Sequence, residues 1–296
     1  MKIIETEAKS LIQKSKIPSI AYVANPYTGC ILGCAYCYAS FMGRAVGQTV
    51  KDWGDYVYVK KNAVELVRDE LKRMPADKRE GTFLLSSVTD PYQGPERRYL
   101  LTRGILTVLA EERYPGTVRI LTKSPLVVRD IDLLTRLPRV DVGMTVTTTD
   151  DKVSRWLEVR APRSSHRLKA LAALHEAGIS TFAFVGPLLP HFAERPDLLD
   201  QLFGRLMDVG VREVYIEHIN LKRYILERMN LVLAEEAPEV REAYVRARSK
   251  AHREMLDDIV GKLLLKHGLT LRFEDHLSRR IPGQAPEMIV ETVAGC

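Results

Sequence analysis

Three of the four cysteines of this 296-residue chain lie on one short stretch, Cys30, Cys34 and Cys37, with the spacing C-x3-C-x2-C. Thiolates are soft ligands for zinc and for iron–sulfur clusters, so three of them on one loop indicate a metal site. A structural zinc ion takes four ligands, and the fourth would have to come from a distant residue, His166 or Cys296. A [4Fe–4S] cluster is normally held by four cysteines, and with three of them one iron stays open for another ligand. The spacing therefore favours a reactive cluster, with zinc, or three buried cysteines without a ligand role, as the alternatives.

Short β-branched runs alternate with helical patterns along most of the chain, and the cysteine stretch follows the first of these runs. The predicted strands are Ser19–Ala24, Thr82–Ser87, Thr117–Thr122, Val140–Thr147, Ser180–Val185 and Glu213–His218. The predicted helices between them are Lys61–Met74, Thr102–Glu112, Arg129–Leu137, Ser164–Ala177 and Pro196–Val209. This alternation is typical of an α/β fold with a parallel sheet of βα units. In such sheets the loops after the carboxyl ends of the strands carry the ligands.

The last quarter of the chain has a different pattern. It contains two charged helical patterns and one short apolar run, Arg223–Glu236, Glu239–Leu265 and Leu269–Phe273. We interpret it as a mainly helical extension that packs on the sheet. The expected organisation is an N-terminal segment 1–18, a barrel domain 19–221 and a C-terminal extension with a tail, 222–296.

The composition is that of a folded globular protein, with 46% hydrophobic and 28% charged residues, and it excludes collagen-like and disordered chains. The net charge of +6 permits an anionic ligand such as nucleic acid without requiring one. No stretch approaches the roughly 20 apolar residues of a membrane span, and the charged N-terminus has no signal-peptide core. We therefore predict a cytoplasmic protein that does not bind membranes, in a compartment where disulfides are rare.

The cysteine stretch, with Tyr36 just before its last cysteine, resembles the signature of the radical S-adenosylmethionine (SAM) enzymes. Flanking runs resemble the spore photoproduct lyase-like branch, also described as DNA repair photolyase-like. They are Asn-Pro-Tyr-Thr-Gly-Cys at 25–30, Cys-Tyr-Ala at 37–39, Ser-Ser-Val-Thr-Asp-Pro-Tyr-Gln at 86–93, Leu-Thr-Lys-Ser at 121–124, and Glu158, Ala161, Pro162 and Arg167 ahead of Ala-Gly-Ile at 177–179. These runs follow in order over most of the predicted barrel. The chain departs from the pattern at Val159-Arg160, where the family usually has Pro-Gly.

The resemblance implies a [4Fe–4S] cluster on Cys30, Cys34 and Cys37 whose open iron binds the amino and carboxyl groups of SAM. A reductase such as flavodoxin or ferredoxin would supply the electron. Reductive cleavage of SAM then gives methionine and a 5′-deoxyadenosyl radical that abstracts a hydrogen atom from the substrate. The fold implied is a partial (β/α)6 TIM-like barrel, in agreement with the six strands counted from the pattern.

The resemblance also assigns cofactor-binding residues, most of which follow the predicted strands. They are Tyr36 beside the cluster, Ser87 and Asp90 near the amino group and ribose, Lys123 and Arg167 near the methionine carboxylate, Thr147 at a ribose hydroxyl, Glu158 beside Arg167, and Gly186 at the adenine. Most of them have an ordinary structural alternative. Ser and Asp favour turns, a lysine is usually solvated, and Glu158 with Arg167 could form a surface ion pair of little energetic value.

The substrate is the least determined part of the prediction. Photoproduct lyases use a cysteine near the second strand as hydrogen-atom donor, and the run 83–88 contains none. Cys296 could take the donor role if the terminus reaches the barrel mouth, and the alternative is a flexible terminal residue. His218, which ends the sixth strand, could contact the substrate. Three hypotheses follow: a radical enzyme that acts on nucleic acid, a radical enzyme that acts on a protein, peptide or small metabolite, and a non-catalytic iron–sulfur or zinc protein.

Overall fold

The computed structural model describes residues 1–234, 236 and 238–272. Within them the strands are β1 (Lys2–Thr6), β2 (Ile12–Lys14), β3 (Tyr22–Ala24), β4 (Tyr27–Thr28), β5 (Tyr56–Lys60), β6 (Phe83–Leu85), β7 (Val118–Thr122), β8 (Val140–Thr145), β9 (Ser180–Leu188), β10 (Glu213–His218) and β11 (Thr270–Leu271). The α-helices are α1 (Ala63–Arg73), α2 (Glu96–Tyr99), α3 (Leu101–Glu111), α4 (Ile131–Leu134), α5 (Asp151–Leu157), α6 (Ser164–Glu176), α7 (Pro196–Asp208), α8 (Arg223–Leu233), α9 (Pro238–Arg246) and α10 (Lys250–His267). Short 3₁₀ helices lie at Tyr38–Val46, Val50–Asp52, Ala76–Lys78, Pro125–Asp130 and Pro190–Ala193.

The main sheet contains the six predicted strands as direct neighbours. Its order is β11-β10-β9-β8-β7-β6-β3-β2. All pairs are parallel except the one between β2 and β3. Each strand of the series β3, β6, β7, β8, β9 and β10 pairs with the next one along the chain, which is the arrangement of a partial TIM-like barrel. The predicted α/β fold class is confirmed.

Helices cover the outer face of this sheet through apolar side chains at helical spacing. Val67 and Leu71 of α1 and Ile105 and Leu109 of α3 are fully buried. They belong to one core cluster together with strand residues such as Phe83. The four-residue spacing places each pair on one helix face, so the pattern visible in the sequence is the face that packs on the sheet.

Several predicted boundaries are wrong, and each has a local cause. The strand predicted to reach Ser87 ends at Leu85 because Ser86 adopts a positive φ of 66°, which extended backbone does not allow. The helix predicted at Arg129–Leu137 is a 3₁₀ segment followed by the short α4. The single helix predicted at Glu239–Leu265 is two helices, because the Ser249 side chain accepts a hydrogen bond from the His252 amide and caps a new start, α10.

A second, three-stranded sheet of order β1-β5-β4 lies beside the cysteine stretch and was not predicted. Strand β1 pairs in parallel with β5, and β4 pairs antiparallel to it. The short β4 leads directly into residue Gly29, whose backbone lies so close to the Tyr56 ring that a Cβ atom there would lie 2.5 Å from it. This sheet therefore packs against the first turn of the cysteine stretch.

The C-terminal helices pack on the barrel rather than apart from it. Ile225 and Met229 of α8 and Leu256 and Val260 of α10 are buried in the same apolar cluster as Ile216 of β10. Strand β11 extends the main sheet in parallel beside β10. No helix in the described part of the chain is both long and apolar enough to span a bilayer. The division at 18 and 221 stays a prediction, and Cys296 lies outside the described residues.

Candidate active site

The cysteine stretch forms a compact loop between β4 and the 3₁₀ helix at Tyr38–Val46. Cys30 and Cys34 are buried, Cys37 is half-buried, and all three are free thiols. The loop turns at Gly29 and Gly33, whose φ angles of 88° and 66° lie in the left-handed region that favours glycine. Cys30 and Cys34 belong to one buried cluster, and Cys37 packs against it.

Burial raises the pKa of all three thiols, so their charged form needs positive charge nearby. Burial raises the pKa of Cys30 well above its usual value and the pKa of Cys34 to about 12. Burial also raises the pKa of Cys37. Each charged thiolate near Cys30 raises its pKa further. The charge of Lys123 opposes this effect at Cys34 and Cys37, and a bound metal would favour the thiolate form further.

The chemistry of the donor set fits an iron–sulfur cluster. Its three members are free cysteines of one loop, and thiolates are the soft ligands that such clusters select. In a [4Fe–4S] cluster each cysteine binds its own iron, so three cysteines leave one iron open for another ligand.

The predicted run 86–93 holds the cysteine loop from the second barrel strand. Gln93 is fully buried; its Nε2 donates to the Gly29 carbonyl at 3.2 Å and its Oε1 accepts from the Ile31 amide at 2.9 Å. The Thr89 hydroxyl also donates to the Gly29 carbonyl, at 2.5 Å. These contacts explain why the run belongs to the site, although neither Gln93 nor Thr89 was assigned a role from the sequence. The only signal was their place within the family-like run.

Asp90 and Ser87 occupy structural positions at the same strand ends. Asp90 Oδ1 accepts from the Thr122 hydroxyl at 2.6 Å, and Oδ2 accepts from the Lys123 amide at 2.8 Å. The Ser87 amide donates to the Asn25 side chain at 2.9 Å. Asp90 therefore ties the end of β6 to the end of β7, and its charge is near enough to raise the pKa of Cys30. Asn25, which the sequence analysis did not single out, fixes the backbone at Ser87.

Glu158 and Arg167 form a buried pair, which excludes the surface ion pair considered from the sequence. Both side chains are fully buried, and Arg167 donates to the Glu158 carboxylate. The Tyr36 hydroxyl donates to the other carboxylate oxygen. Burial would raise the pKa of Glu158, but the charges of Arg167 and Lys123 outweigh it and hold that pKa below its usual value. The network joins the cysteine loop to helices α5 and α6.

Arg167 itself is occupied by the protein. It donates to the Pro162 carbonyl at 2.8 Å and to the Thr145 carbonyl at 3.0 Å, besides Glu158. Its full burial and these partners disfavour direct contact with a cofactor carboxylate, and they favour positioning of Glu158 and Tyr36. Lys123 remains the candidate for that contact. Its ammonium lies 5.6 Å from the centre of the Tyr36 ring, and the charges of Cys34 and Glu158 raise its pKa despite burial.

Thr147 supplies an unpaired polar atom at the carboxyl end of β8. Its side chain is fully buried, and Thr147 Oγ1 has no hydrogen-bond partner among the described residues. An orphaned buried hydroxyl is costly unless a ligand or water satisfies it. The unpaired hydroxyl of Thr147 is consistent with the predicted contact to a ribose hydroxyl.

At Gly186 an added Cβ would lie 2.2 Å from the Phe184 ring, so packing alone accounts for the glycine.

We expect Thr147→Val to weaken SAM binding by roughly 2- to 10-fold, since one hydrogen bond contributes about 0.5–1.5 kcal/mol. The ligand-free protein should be as stable as the wild type or slightly more stable, because the substitution removes an unsatisfied buried hydroxyl. Calorimetric titration with SAM and thermal unfolding measure the two effects. Thr149→Val is the control, since Thr149 donates to Gln201 on the protein surface. Wild-type affinity in Thr147→Val would contradict the assignment.

His218 lies on the helix-facing side of β10. Its Nε2 is 2.7 Å from Asp257 Oδ1 of α10, on the same side as Ile216, which is buried against the helices. This placement disfavours contact between His218 and a substrate inside the barrel. The sequence pattern could not reveal the partner, because Asp257 is 39 residues away in the chain.

Comparison with known proteins finds a matching family and several sequence relatives of this chain. The sequence model of the radical SAM superfamily matches residues 24–202. An uncharacterized protein of Methanocaldococcus jannaschii is 34% identical over 224 residues, which cover 75% of this chain and 79% of that protein. An uncharacterized protein of Mycobacterium tuberculosis is 32% identical over 273 residues, which cover 86% of this chain and 78% of that protein.

Two solved structures share the fold. Spore photoproduct lyase complexed with dinucleoside spore photoproduct matches with a TM-score of 0.65 and 15% identity, over 91% of this chain and 81% of that chain. Streptococcus suis SuiB bound to S-adenosylmethionine matches with a TM-score of 0.54 and 14% identity, over 84% of this chain and 49% of that chain. At these identities the likeness concerns the fold, which is the partial barrel described above.

Proposed function

This chain belongs to the radical SAM superfamily of enzymes, whose cofactors are a [4Fe–4S] cluster and SAM, and from that membership we propose how its residues serve the reaction. Cys30, Cys34 and Cys37 are the proposed cluster ligands. When bound and reduced, the cluster supplies the electron that cleaves SAM to methionine and a 5′-deoxyadenosyl radical for hydrogen abstraction. The observation that carries the proposal is the loop of three free cysteines, two of them buried and one half-buried, that follows β3 and β4.

The remaining site residues prepare the binding surface. Gln93 and Thr89 hold the cysteine loop in its turn through the Gly29 carbonyl. The Arg167–Glu158–Tyr36 network fixes the position of Tyr36 beside the proposed cluster. Lys123 places a positive charge there that would bind the carboxylate of the methionine moiety. Thr147 offers its unpaired hydroxyl to the ribose.

The first experiment is anaerobic reconstitution with iron and sulfide, followed by dithionite and SAM. We expect a brown protein that forms 5′-deoxyadenosine and methionine even without a substrate. A reconstituted protein that assembles the cluster but forms neither product would support the non-catalytic cluster hypothesis and contradict the enzyme proposal. A flavodoxin or ferredoxin system replacing dithionite tests the proposed electron donors.

For the substrate we propose nucleic acid. Two observations support this choice: the net charge of +6, and the fold shared with a lyase whose structure holds a dinucleoside photoproduct. Photoproduct repair itself is not proposed, because the run 83–88 has no cysteine to return a hydrogen atom. Cys296 stays the predicted alternative donor.

Binding to labelled single- and double-stranded oligonucleotides tests the substrate class. Neutralisation of phosphates by basic side chains makes the affinity fall linearly with salt on a logarithmic scale. We expect such a slope together with faster formation of 5′-deoxyadenosine when the oligonucleotide is present. Absence of binding at low salt would contradict the proposed nucleic-acid substrate and favour a protein, peptide or small-metabolite substrate.

The cytoplasmic location stays a prediction from the sequence.

A further inference from the structure

A buried arginine from the C-terminal extension reaches the cysteine loop. Arg228 lies on α8 and is 8% exposed. One terminal nitrogen donates to the Gly33 and Cys34 carbonyls at 3.3 and 3.2 Å. The other donates to the Val50 and Trp53 carbonyls at 2.7 and 3.3 Å. The guanidinium thus connects the cysteine loop, the 50–53 turn and the extension.

This cation has no carboxylate partner within the part of the chain that the structure describes. All four of its acceptors are neutral carbonyls, and its Nε is buried without any hydrogen-bond partner. Two of these carbonyls belong to Gly33 and Cys34, so the guanidinium is held against the cysteine loop itself. A buried unpaired charge is destabilising unless an opposite charge compensates it. A cluster bound by the thiolates of the cysteine loop would supply that compensating charge.

A neighbouring indole points to the same conclusion. Trp53 packs in the same buried cluster as Cys30 and Cys34, and its Nε1–H is buried without a hydrogen-bond partner among the described residues. The Trp53 carbonyl accepts from Arg228. The backbone of the 50–53 turn therefore holds the cation, and its indole leaves one buried donor beside the cysteine loop.

We propose that Arg228 is the fixed countercharge of the cluster and raises its reduction potential, as a positioning residue supplied by the C-terminal extension. The inference rests on the proposed cluster at Cys30, Cys34 and Cys37. Three thiolates make this site anionic, and reduction adds one more negative charge. A buried positive charge nearby stabilises the reduced state more than the oxidised state, because Coulomb interactions are strong where water is excluded.

The geometry also explains why arginine stands here. A guanidinium offers five donors in a planar fork, which satisfies four carbonyls on two loops at once. A lysine would retain the charge but has only three donors on one nitrogen. Charge and scaffold roles are therefore separable by substitution.

The test compares Arg228→Lys and Arg228→Met with the wild type in reconstituted holoprotein without SAM. Iron and sulfide content and circular dichroism establish that cluster and fold are intact. A redox titration followed by electron paramagnetic resonance then gives the midpoint potential. We expect Arg228→Met to shift the midpoint to a more negative value, and Arg228→Lys to stay close to the wild type because it keeps the charge.

The matched control is Arg160→Met. Arg160 donates to the Gly54 carbonyl in the adjacent turn, but it is half exposed and paired with Asp55 at 2.8 Å. Loss of a solvent-screened, already paired cation should leave the midpoint unchanged. An equal shift in Arg160→Met and Arg228→Met would overturn the specific role of Arg228.

Two further outcomes overturn the proposal. One is a wild-type midpoint in an Arg228→Met protein with full iron content, and the other is an equal shift in the Lys and Met variants. If Arg228→Met does not hold the cluster, Arg228→Gln replaces it, since glutamine keeps donors without charge. Equal midpoints of the Gln and Lys variants then contradict a charge effect. Failure of the wild type to assemble any cluster would instead contradict the proposed function.

Discussion

Replacing Cys34 by alanine should abolish the cluster and, with it, formation of 5′-deoxyadenosine. Cys34 lies at the centre of the cysteine loop, where its carbonyl accepts from the Cys37 amide at 3.2 Å and from Arg228. With it gone, Cys30 and Cys37 are left to hold a cluster that already has one iron without a cysteine. Removing a direct ligand should lower cluster affinity and activity by more than the roughly 10- to 100-fold that is typical when a residue hydrogen-bonded to a ligand is removed.

Iron and sulfide content, the brown absorbance and product formation after anaerobic reconstitution measure the effect. The backbone contacts of Cys34 survive the substitution, so circular dichroism should report a folded protein. Cys296→Ala is the matched control for iron content, since it removes a cysteine that is not a proposed ligand. A Cys34→Ala protein with the iron content of the wild type would refute the ligand assignment.

Replacing Arg167 by methionine should destabilise the protein by about 3–5 kcal/mol, the range for removing one partner of a buried ion pair. The substitution leaves the Glu158 carboxylate fully buried with its main positive partner gone. It also frees the Pro162 and Thr145 carbonyls that Arg167 satisfies. Urea unfolding of the protein without cofactors gives the free energy of unfolding.

Two comparisons separate the buried charge from general damage. The double variant Glu158→Gln/Arg167→Met should recover part of the loss, because it removes the unpaired charge. Arg205→Met breaks the exposed pair with Asp208 and should cost less than about 1 kcal/mol. Equal losses in Arg167→Met and Arg205→Met would show that the buried pair is energetically ordinary.

The pH dependence of the same pair has a definite sign. The folded-state pKa of Glu158 lies below its ordinary value of 4.5. Its contribution to stability is therefore complete above that ordinary value and is lost as the pH falls through the lower folded-state pKa. In Arg167→Met burial prevails and the pKa of Glu158 rises, so the stability gap between variant and wild type should narrow in acid. A difference in the free energy of unfolding between the two proteins that stays constant from pH 7 into acid would contradict this account.

Local patterns carried much of the correct prediction. The C-x3-C-x2-C spacing predicts a metal-binding loop because the donors are close in the chain, and this assignment stays a prediction. The six alternating strands predicted the parallel sheet because burial repeats with the period of each element. Boundaries were less accurate where one backbone angle decides them, as at Ser86. The three-stranded sheet under the loop was missed because its strands are short and distant in the chain.

The sequence by itself determined the cofactor class of this protein, because three cysteines at fixed spacing and the family-like runs near the first four predicted strands are local features. Tertiary structure alone decided which polar side chains are buried together. It turned Glu158 and Arg167 into a buried pair, directed His218 to Asp257 on the outer side of the barrel, and brought Arg228 to Cys34 across 194 residues. The physical reason is that charge compensation and hydrogen bonding depend on distance in space and on exclusion of water, and neither is encoded in the spacing of residues along the chain.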